Sequence, residues 1–278
     1  MSEKRISVLI HTLNEAGQIE ECLRSVAWAD EVYLLDSFSD DGTVELVRRE
    51  FPSVIIEKRT SLGSAAQKNY GMKQLKNDWV LVIDADERVT PELRDEILDT
   101  IEHPKYNAYA IRRRNYFLGK RMRFSGLQRD TVIRLFHRDH ARYPNRRVHA
   151  DLIVNGAVGK LEQPFDHNYV RSIEHLARKT IRYGVWGAAQ LYRDGVSASI
   201  SDVTLRPLWR FFRDWILNLG ILDGYRGLII CAAHAYYTFF KYAKLWEYGE
   251  LERRGLPLEL PEFEESEEIW ELPWEKDA

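Results

Sequence analysis

Trp79-Val-Leu-Val-Ile-Asp84-Ala-Asp86-Glu87-Arg-Val-Thr-Pro91 is the stretch on which the reading of this chain turns. Trp79 to Ile83 is an uncharged, largely β-branched run, the pattern of a strand buried on both faces of a sheet. It stops at two carboxylates spaced i and i+2, followed by Glu87. Thr90 suits an N-cap and Pro91 the first helical position, opening a helix with Leu93, Ile97 and Ile101 inward. Side chains alternate along a strand, so Asp84 and Asp86 are expected on one side. Carboxylates at the C-terminal end of a parallel strand stand where α/β sheets bind ligands. Two hard oxygen donors there suit a Mg²⁺ or Mn²⁺ ion shared with a diphosphate. The plainer alternative is a solvated turn in which Asp86 caps the following helix.

Upstream, the same strand-to-helix rhythm recurs. Ile6 to Ile10 is a β run, then His11-Thr-Leu-Asn14-Glu15, then a helix burying Ile19, Cys22, Leu23 and Val26. Glu31 to Leu35 is a second strand, ending in Asp36-Ser-Phe-Ser39-Asp40-Asp41-Gly42-Thr43. Asp40 or Asp41 is expected to cap the helix from Thr43 to Glu50. Val54 to Glu57 leads through Gly63 to a helix with Ala65, Ala66, Asn69, Met72 and Leu75 inward. This alternation predicts βαβ units and a parallel sheet over residues 1 to 103. Gly-x-Gly-x-x-Gly and Walker loops are both missing, which counts against dinucleotide-binding and NTPase readings.

Downstream the rhythm changes. Ala108 to Ile111, Thr131 to Phe136 and Leu152 to Val154 read as strands joined by long basic connections, which in a compact domain point to function or disorder. Ile173 to Asp194 is helical again. Leu205, Leu208, Trp209, Phe212, Trp215, Ile216 and Leu219 then mark one face at 3-and-4 spacing, with Arg206, Arg210 and Arg213 beside them. Gly224 breaks the chain, and Gly227 to Phe240 carries no formal charge. That run is shorter than the roughly 20 apolar residues a bilayer span needs. Amphipathic, aromatic-rich helices with flanking bases suit interfacial attachment to a membrane. The alternatives are that the two helices pack on each other or form a homodimer surface.

The 278 residues allow one large domain or a domain with an appendage, and 45% hydrophobic with 30% charged residues are globular values. A net charge of −3 argues against a general nucleic-acid binder. Locally the balance is uneven: bases dominate from Lys105 to Arg147, where only Asp130 and Asp139 oppose them. That stretch suits an anionic acceptor or an anionic surface, or is simply a solvated basic face. Cys22 and Cys231 sit in apolar helical patterns, as reduced core residues of a cytosolic protein would. Met1 to Arg5 runs into a strand with no apolar signal region, so no export is expected.

Taken together, these motifs resemble the inverting family 2 glycosyltransferases. His11-Thr-Leu-Asn14-Glu15 looks like their opening motif, Asp36 falls at their second-strand aspartate, and Asp84-Ala-Asp86 at their metal-binding Asp-x-Asp. The resemblance is closest to the branch containing lipopolysaccharide core β-glucosyltransferases. That branch has, in order, Trp28-Ala-Asp-Glu31, Asp36-Ser-Phe-Ser39, Gln67-Lys68-Asn69, Asp84-Ala-Asp86-Glu87-Arg88, Arg134-Leu-Phe136, Val148-His149 and Leu222-Asp-Gly224.

The resemblance implies an α/β fold of the GT-A type, Rossmann-like with a mostly parallel central sheet flanked by helices, and C-terminal amphipathic helices. It implies a nucleotide-diphosphate-sugar donor, with a UDP-sugar expected. Thr12, Asn14 and Glu15 would line the base and ribose pocket, and Asp36 would accept a hydrogen bond from the base. Lys68 would approach the phosphates while Asn69 shapes the same turn. Asp86 would contact a Mg²⁺ or Mn²⁺ ion, with Asp84 assisting through ribose or a coordinated water. A general base must also take the acceptor hydroxyl proton. Relatives place a glutamate directly after the Val-His pair, where this chain has Ala150 and then Asp151. Asp151 is the expected base, with His149 and Asp130 as alternatives.

The expected acceptor is a lipid-linked glycan such as lipopolysaccharide core, and the expected location is cytoplasmic, peripheral to the inner face of the cytoplasmic membrane. Oligomeric state is left open. In domain terms, residues 1–170 would hold donor and acceptor, 171–249 a helical membrane-associated region, and 250–278 an acidic flexible tail. Two alternatives stand: a polyprenyl-phosphate sugar synthase, whose phosphate acceptor has no hydroxyl to deprotonate, and an inactive nucleotide-sugar or membrane-binding scaffold.

Overall fold

A computed structural model describes residues 5–60, 64–144 and 151–261. Its strands are β1 (Ile6–Thr12), β2 (Glu31–Asp36), β3 (Ile55–Lys58), β4 (Trp79–Asp84), β5 (Glu87–Arg88), β6 (Ala108–Phe117), β7 (Lys120–Arg121), β8 (Thr131–His137), β9 (Ala141–Arg142), β10 (Ile153–Val154), β11 (Val158–Lys160) and β12 (Phe165–Val170). The helices are α1 (Ile19–Val26), α2 (Thr43–Glu50), α3 (Ser64–Gln74), α4 (Pro91–Glu102), α5 (Ile173–Arg193), α6 (Ile200–Phe212) and α7 (Gly224–Arg253). Two compact units emerge: a sheet unit through Arg114 that resumes from Asp130 as far as His167, and a helical unit of Asn115–Arg129 and residues 168–261. Asn115–Arg129, inside the range read as one N-terminal domain, thus belongs with the later helices.

The sheet unit follows from the βαβ pattern. Strand order is β3-β2-β1-β4-β8-β6, with β1 to β4 parallel, β8 antiparallel to β4, and β6 antiparallel to β8. Val80 to Ile83 are at most 1% exposed, and truncating one of them to alanine would cost about 2–5 kcal/mol. Thr90 caps α4 by accepting from the Leu93 N–H at 3.2 Å, so Asp86 is not its cap. The cap of α2 also differs from expectation: Gly42, left-handed at φ 88°, occupies the cap position. Asp41, one residue earlier, accepts from the Thr43 N–H at 3.1 Å and from the Ala16 N–H at 3.0 Å, joining two loops.

Register then positions the site. Thr12 pairs with Asp36, and His11 with Asp84, so the tips of β2, β1 and β4 lie side by side. The sequence gives little sign of β12, whose polar Asp166-His-Asn residues interrupt any alternation. It runs antiparallel to β5 and sets His167 opposite Glu87.

In the helical unit, Phe117, Met122, Leu127, Val170, Leu176 and Ile230 form a small core. α6 opens with a capping box between Ser199 and Asp202. The single face predicted from Leu205 to Leu219 does not continue as one α-helix. α6 stops at Phe212, and a π-helical turn, Arg213–Leu217, precedes a 3₁₀ turn at Gly220–Asp223. Glu250 to Arg253, read as the start of the tail, form the last turn of α7, and residues from 262 lie outside the described ones.

Asp214 lies within the π turn. Fully buried, it accepts from Arg210 Nε at 2.6 Å, Arg213 Nε at 3.1 Å and Asn218 Nδ2 at 3.0 Å, and meets His234 Nδ1 at 2.9 Å. Burial opposes its ionisation, but the His234 hydrogen bond and the Arg210 charge win and hold its carboxyl well below the usual range. A depressed carboxylate stabilises the fold above its unfolded pKa and loses that contribution as pH falls through the folded value. Asp214→Asn should therefore cost about 2–4 kcal/mol at neutral pH. It should also flatten the fall in stability below about pH 4, measured by urea unfolding across the acid range.

Gly227 is the tightest point of this unit. A Cβ there would lie 2.0 Å from the Gly220 carbonyl oxygen, a backbone atom that cannot rotate away. Gly227→Ala should cost about 3 kcal/mol or more, read as a lowered thermal midpoint.

Candidate active site

The loops at the tips of β1 and β2 are stitched to each other by the polar residues that stood out in the sequence. Asn14 adopts φ 58°, a left-handed conformation asparagine tolerates. Its N–H donates to Ser39 Oγ at 2.9 Å, and its Oδ1 accepts from the Asp40 N–H at 2.9 Å. The Glu15 N–H donates to Thr43 Oγ1 at 2.9 Å. Asp36 is fully buried and accepts from the Ser39 N–H at 2.9 Å and Ser39 Oγ at 2.5 Å, leaving further lone pairs for a ligand. The Thr12 hydroxyl is buried and has no hydrogen-bond partner among the described residues. Two apolar side chains flank these loops, Leu13 at 51% and Phe38 at 57% exposure.

Gln67, Lys68 and Asn69 divide three tasks. Gln67 Nε2 donates to the Arg59 and Thr60 carbonyls, both at 3.1 Å. Asn69 makes a reciprocal pair with the Tyr143 backbone, donating at 2.8 Å and accepting at 2.9 Å. Lys68 is buried, its Nζ 3.3 Å from Asp84 Oδ1 and 5.3 Å from the centre of the Tyr143 ring.

At the tip of β4 lies a buried ion network. Asp84 pairs with Arg134, with Lys68, with His11 Nδ1 at 3.4 Å and with Arg113 at 3.7 Å. Glu87, wholly buried, accepts from Arg134 Nη2 at 2.6 Å and Arg113 Nη2 at 2.9 Å, while its other oxygen accepts from the Asp84 N–H at 2.9 Å. Asp130 closes the set, 3.4 Å from Arg113 Nη1. Burial opposes the charge on Asp84, yet Arg134, Lys68, His11 and Arg113 hold its carboxyl well below the usual range. Arg134 is held correspondingly high, Asp84 and Glu87 outweighing its burial. Burial lowers Lys68 more than Asp84 raises it. Burial first, and Lys68 next, lower His11 to about 4, so the imidazole is neutral at pH 7.

Asp86 is placed differently. β4 ends at Asp84 and Ala85-Asp86 is a turn, so strand alternation does not decide where Asp86 points. Its Oδ2 lies 3.4 Å from Nε2 of His167, which β12 brings across from β5. Among the described residues, no three His, Cys, Asp or Glu side chains are grouped to hold a metal unaided. A carboxylate beside an imidazole nevertheless fits Mn²⁺ or Mg²⁺ whose remaining ligands come from a diphosphate and water. The cation-crowded Asp84 fits such an ion less well.

The three candidate bases fare unequally. His149 lies outside the described residues, as does Ala150. Asp151 is exposed. Asp130 belongs to the ion network, with its carbonyl also accepting from the Arg113 N–H at 2.8 Å.

Sequence reasoning missed Glu87, Arg113, Arg134 and His167 as site residues. Arg113 and Arg134 were counted into a basic surface. Their turn inward has a signal, since Arg134 shares a strand face with Val132 and Phe136.

The family model described as Glycosyl transferase family 2 matches residues 7–153. An uncharacterized glycosyltransferase of Rickettsia felis is 30% identical over 88% of this chain and 90% of its own length. The lipopolysaccharide core biosynthesis glycosyltransferase LpsC of Rhizobium meliloti is 25% identical over 90% of this chain and 94% of its own. Among solved structures, S. aureus TarS residues 1–349 in complex with UDP-GlcNAc aligns at TM-score 0.47 and 16% identity, covering 91% and 92% of the two chains. The chain belongs to glycosyl transferase family 2, and its mixed, mostly parallel sheet flanked by helices is of the GT-A type.

Proposed function

We propose that this transferase moves a sugar from a UDP-sugar, with inversion, to a hydroxyl of a lipid-linked glycan of the lipopolysaccharide core class. The observation that carries the donor half is the alignment of Asp36, Thr12 and Asp84 at adjacent strand tips, with Asp86 and His167 beside them. Asp36 and the unpartnered Thr12 hydroxyl suit the polar edge of a base and its ribose, and Phe38 offers it a flat apolar face. Lys68 suits the diphosphate, as a buried ammonium that is already desolvated. Asp86 and His167 would hold a divalent cation, which when bound neutralises charge on the leaving diphosphate. Membership of LpsC among the relatives supports the acceptor class.

In this reading the acceptor oxygen attacks the anomeric carbon from the face opposite the diphosphate. The carbon–oxygen bond to the diphosphate breaks, the electron pair leaves with UDP, and the acceptor proton passes to a carboxylate. Asp151 is that carboxylate. Asp151→Asn should lower kcat by 10²–10⁴-fold, the usual range for a general base, with little change in KM for the donor. Intact transfer in that variant would assign the proton elsewhere.

Calorimetric titration of UDP, with and without Mn²⁺, tests the donor site. Metal-dependent binding, weakened about tenfold or more in Lys68→Met, is expected. No binding of any nucleoside diphosphate under any metal would overturn the reading.

A further inference from the structure

The bend that joins α6 to α7 carries large apolar side chains that the fold does not cover. Leu205, Leu208, Leu222 and Tyr225 are 62%, 67%, 63% and 87% exposed, and Trp209 is 55% exposed. Within α6 itself only Pro207 is buried. Exposed single leucines are ordinary on a folded surface, but a continuous series along one bend is an interaction surface. No single described helix is long and apolar enough to cross a membrane, and Ile200–Leu217 with Gly220–Arg253 passes that test only as a pair bent by 70°.

Charge decides what such a surface meets. Between Asp202 and Glu247 the acidic residues are Asp202, Asp214, Asp223 and Glu247, and the basic ones are Arg206, Arg210, Arg213, Arg226, Lys241 and Lys244, with Arg206 paired to Asp202 and Lys244 to Glu247. Of these acids, Asp214 and Asp223 are withdrawn from solvent. Asp214 is saturated by Arg210, Arg213, Asn218 and His234, as described above. Asp223 accepts from the Arg123 N–H at 3.1 Å, the Phe124 N–H at 3.0 Å and Ser125 Oγ at 2.9 Å. The charge this segment shows to the outside is therefore basic. A two-fold contact between copies would set those bases against their own counterparts, which is unfavourable. An anionic lipid surface complements both properties, with apolar side chains entering the acyl boundary and arginines meeting phosphates. Trp209 and Tyr225 are the residue types that settle at the headgroup level.

We propose that the α6–α7 bend is a lipid-docking wedge that inserts shallowly into one leaflet of an anionic bilayer. The wedge lies within the helical unit, and its assignment does not depend on which nucleotide sugar the sheet unit binds.

Flotation of the full chain with vesicles of phosphatidylcholine and phosphatidylglycerol is the test. Wild type should float with the anionic vesicles, and should be largely released by 0.5 M salt or by replacing them with pure phosphatidylcholine. Leu208→Glu combined with Leu222→Glu should reduce the bound fraction about tenfold or more. Arg226→Gln should weaken binding about fivefold, the effect of one basic charge near an anionic surface. The wild-type salt and lipid dependence stands even if a variant misfolds, which circular dichroism would reveal. Failure of wild type to float would overturn the proposal. If it then runs as a dimer that the double variant separates, the face belongs to a second copy of the chain. Binding that ignores lipid charge and salt would also count against the wedge.

Discussion

Replacing Glu87 by glutamine is expected to destabilise the sheet unit by about 3–5 kcal/mol, the usual cost of removing one member of a buried ion group. Glu87 has no solvent exposure, and both of its oxygens are occupied. One receives Arg134 and Arg113, and the other receives the backbone N–H of Asp84. Glutamine matches the shape, but its amide nitrogen must face either the guanidinium groups or that N–H, donor against donor in both orientations. It also leaves the buried Arg134 and the half-buried Arg113 with only Asp84 and Asp130 as counter-charges. Urea unfolding would measure the loss, and a value under about 1 kcal/mol would mean the network is dispensable. A second consequence distinguishes this variant from ordinary core damage. Arg134 and Arg113 set the field around Asp84, so donor binding should weaken even at temperatures where Glu87→Gln remains folded.

The parallel half of this arrangement could be read from the chain because each piece of it is local. Uncharged β runs ending in polar turns, with helices at 3.6-residue spacing between them, specify β1 to β4 and α1 to α4 nearly to the residue. The Thr90-Pro91 start of α4 is visible for the same reason. What escaped is whatever depends on partners distant in sequence. Glu87 looks like one more acidic residue after Asp86 until β8 and β6 deliver Arg134 and Arg113 to it. His167 lies on a strand whose polar sequence gives no alternation, and it matters because pairing with β5 brings it to Asp86. The C-terminal helices show a different limit. Their apolar spacing is correctly periodic, but periodicity predicts an apolar face, not what the face packs against, and here much of it faces outward. The break at Arg213 falls beside Asp214, whose partner His234 is 20 residues further on.

The two aspartates of the Asp-x-Asp motif should separate cleanly when each is altered. If Asp86 holds the cation as proposed, Asp86→Asn is expected to lower kcat/KM by about 10³-fold or more and to remove stimulation by Mn²⁺. His167→Ala should act in the same direction, raising the Mn²⁺ concentration for half-maximal activity about tenfold or more. Asp84→Asn should behave otherwise, because its environment is different. Arg134, Lys68 and Arg113 surround its carboxylate, and a divalent ion in direct contact would add two more positive charges to that crowd. Its loss frees Lys68 and Arg134 from their shared counter-charge, so the effect should fall on stability and on donor affinity, with the Mn²⁺ requirement retained. The neutral His11 beside it offers a further readout. Burial and the charge of Lys68 hold that imidazole down near 4 against the opposing pull of Asp84, so removing Asp84 lowers it further and leaves no protonation step near neutrality. Any change in the pH profile of Asp84→Asn above pH 5 should therefore come from Lys68, which loses the carboxylate that raises it, and not from His11. If instead Asp84→Asn abolishes the Mn²⁺ response while Asp86→Asn keeps it, the two carboxylates exchange roles, and His167 becomes a structural partner of Asp86 with no part in the metal site.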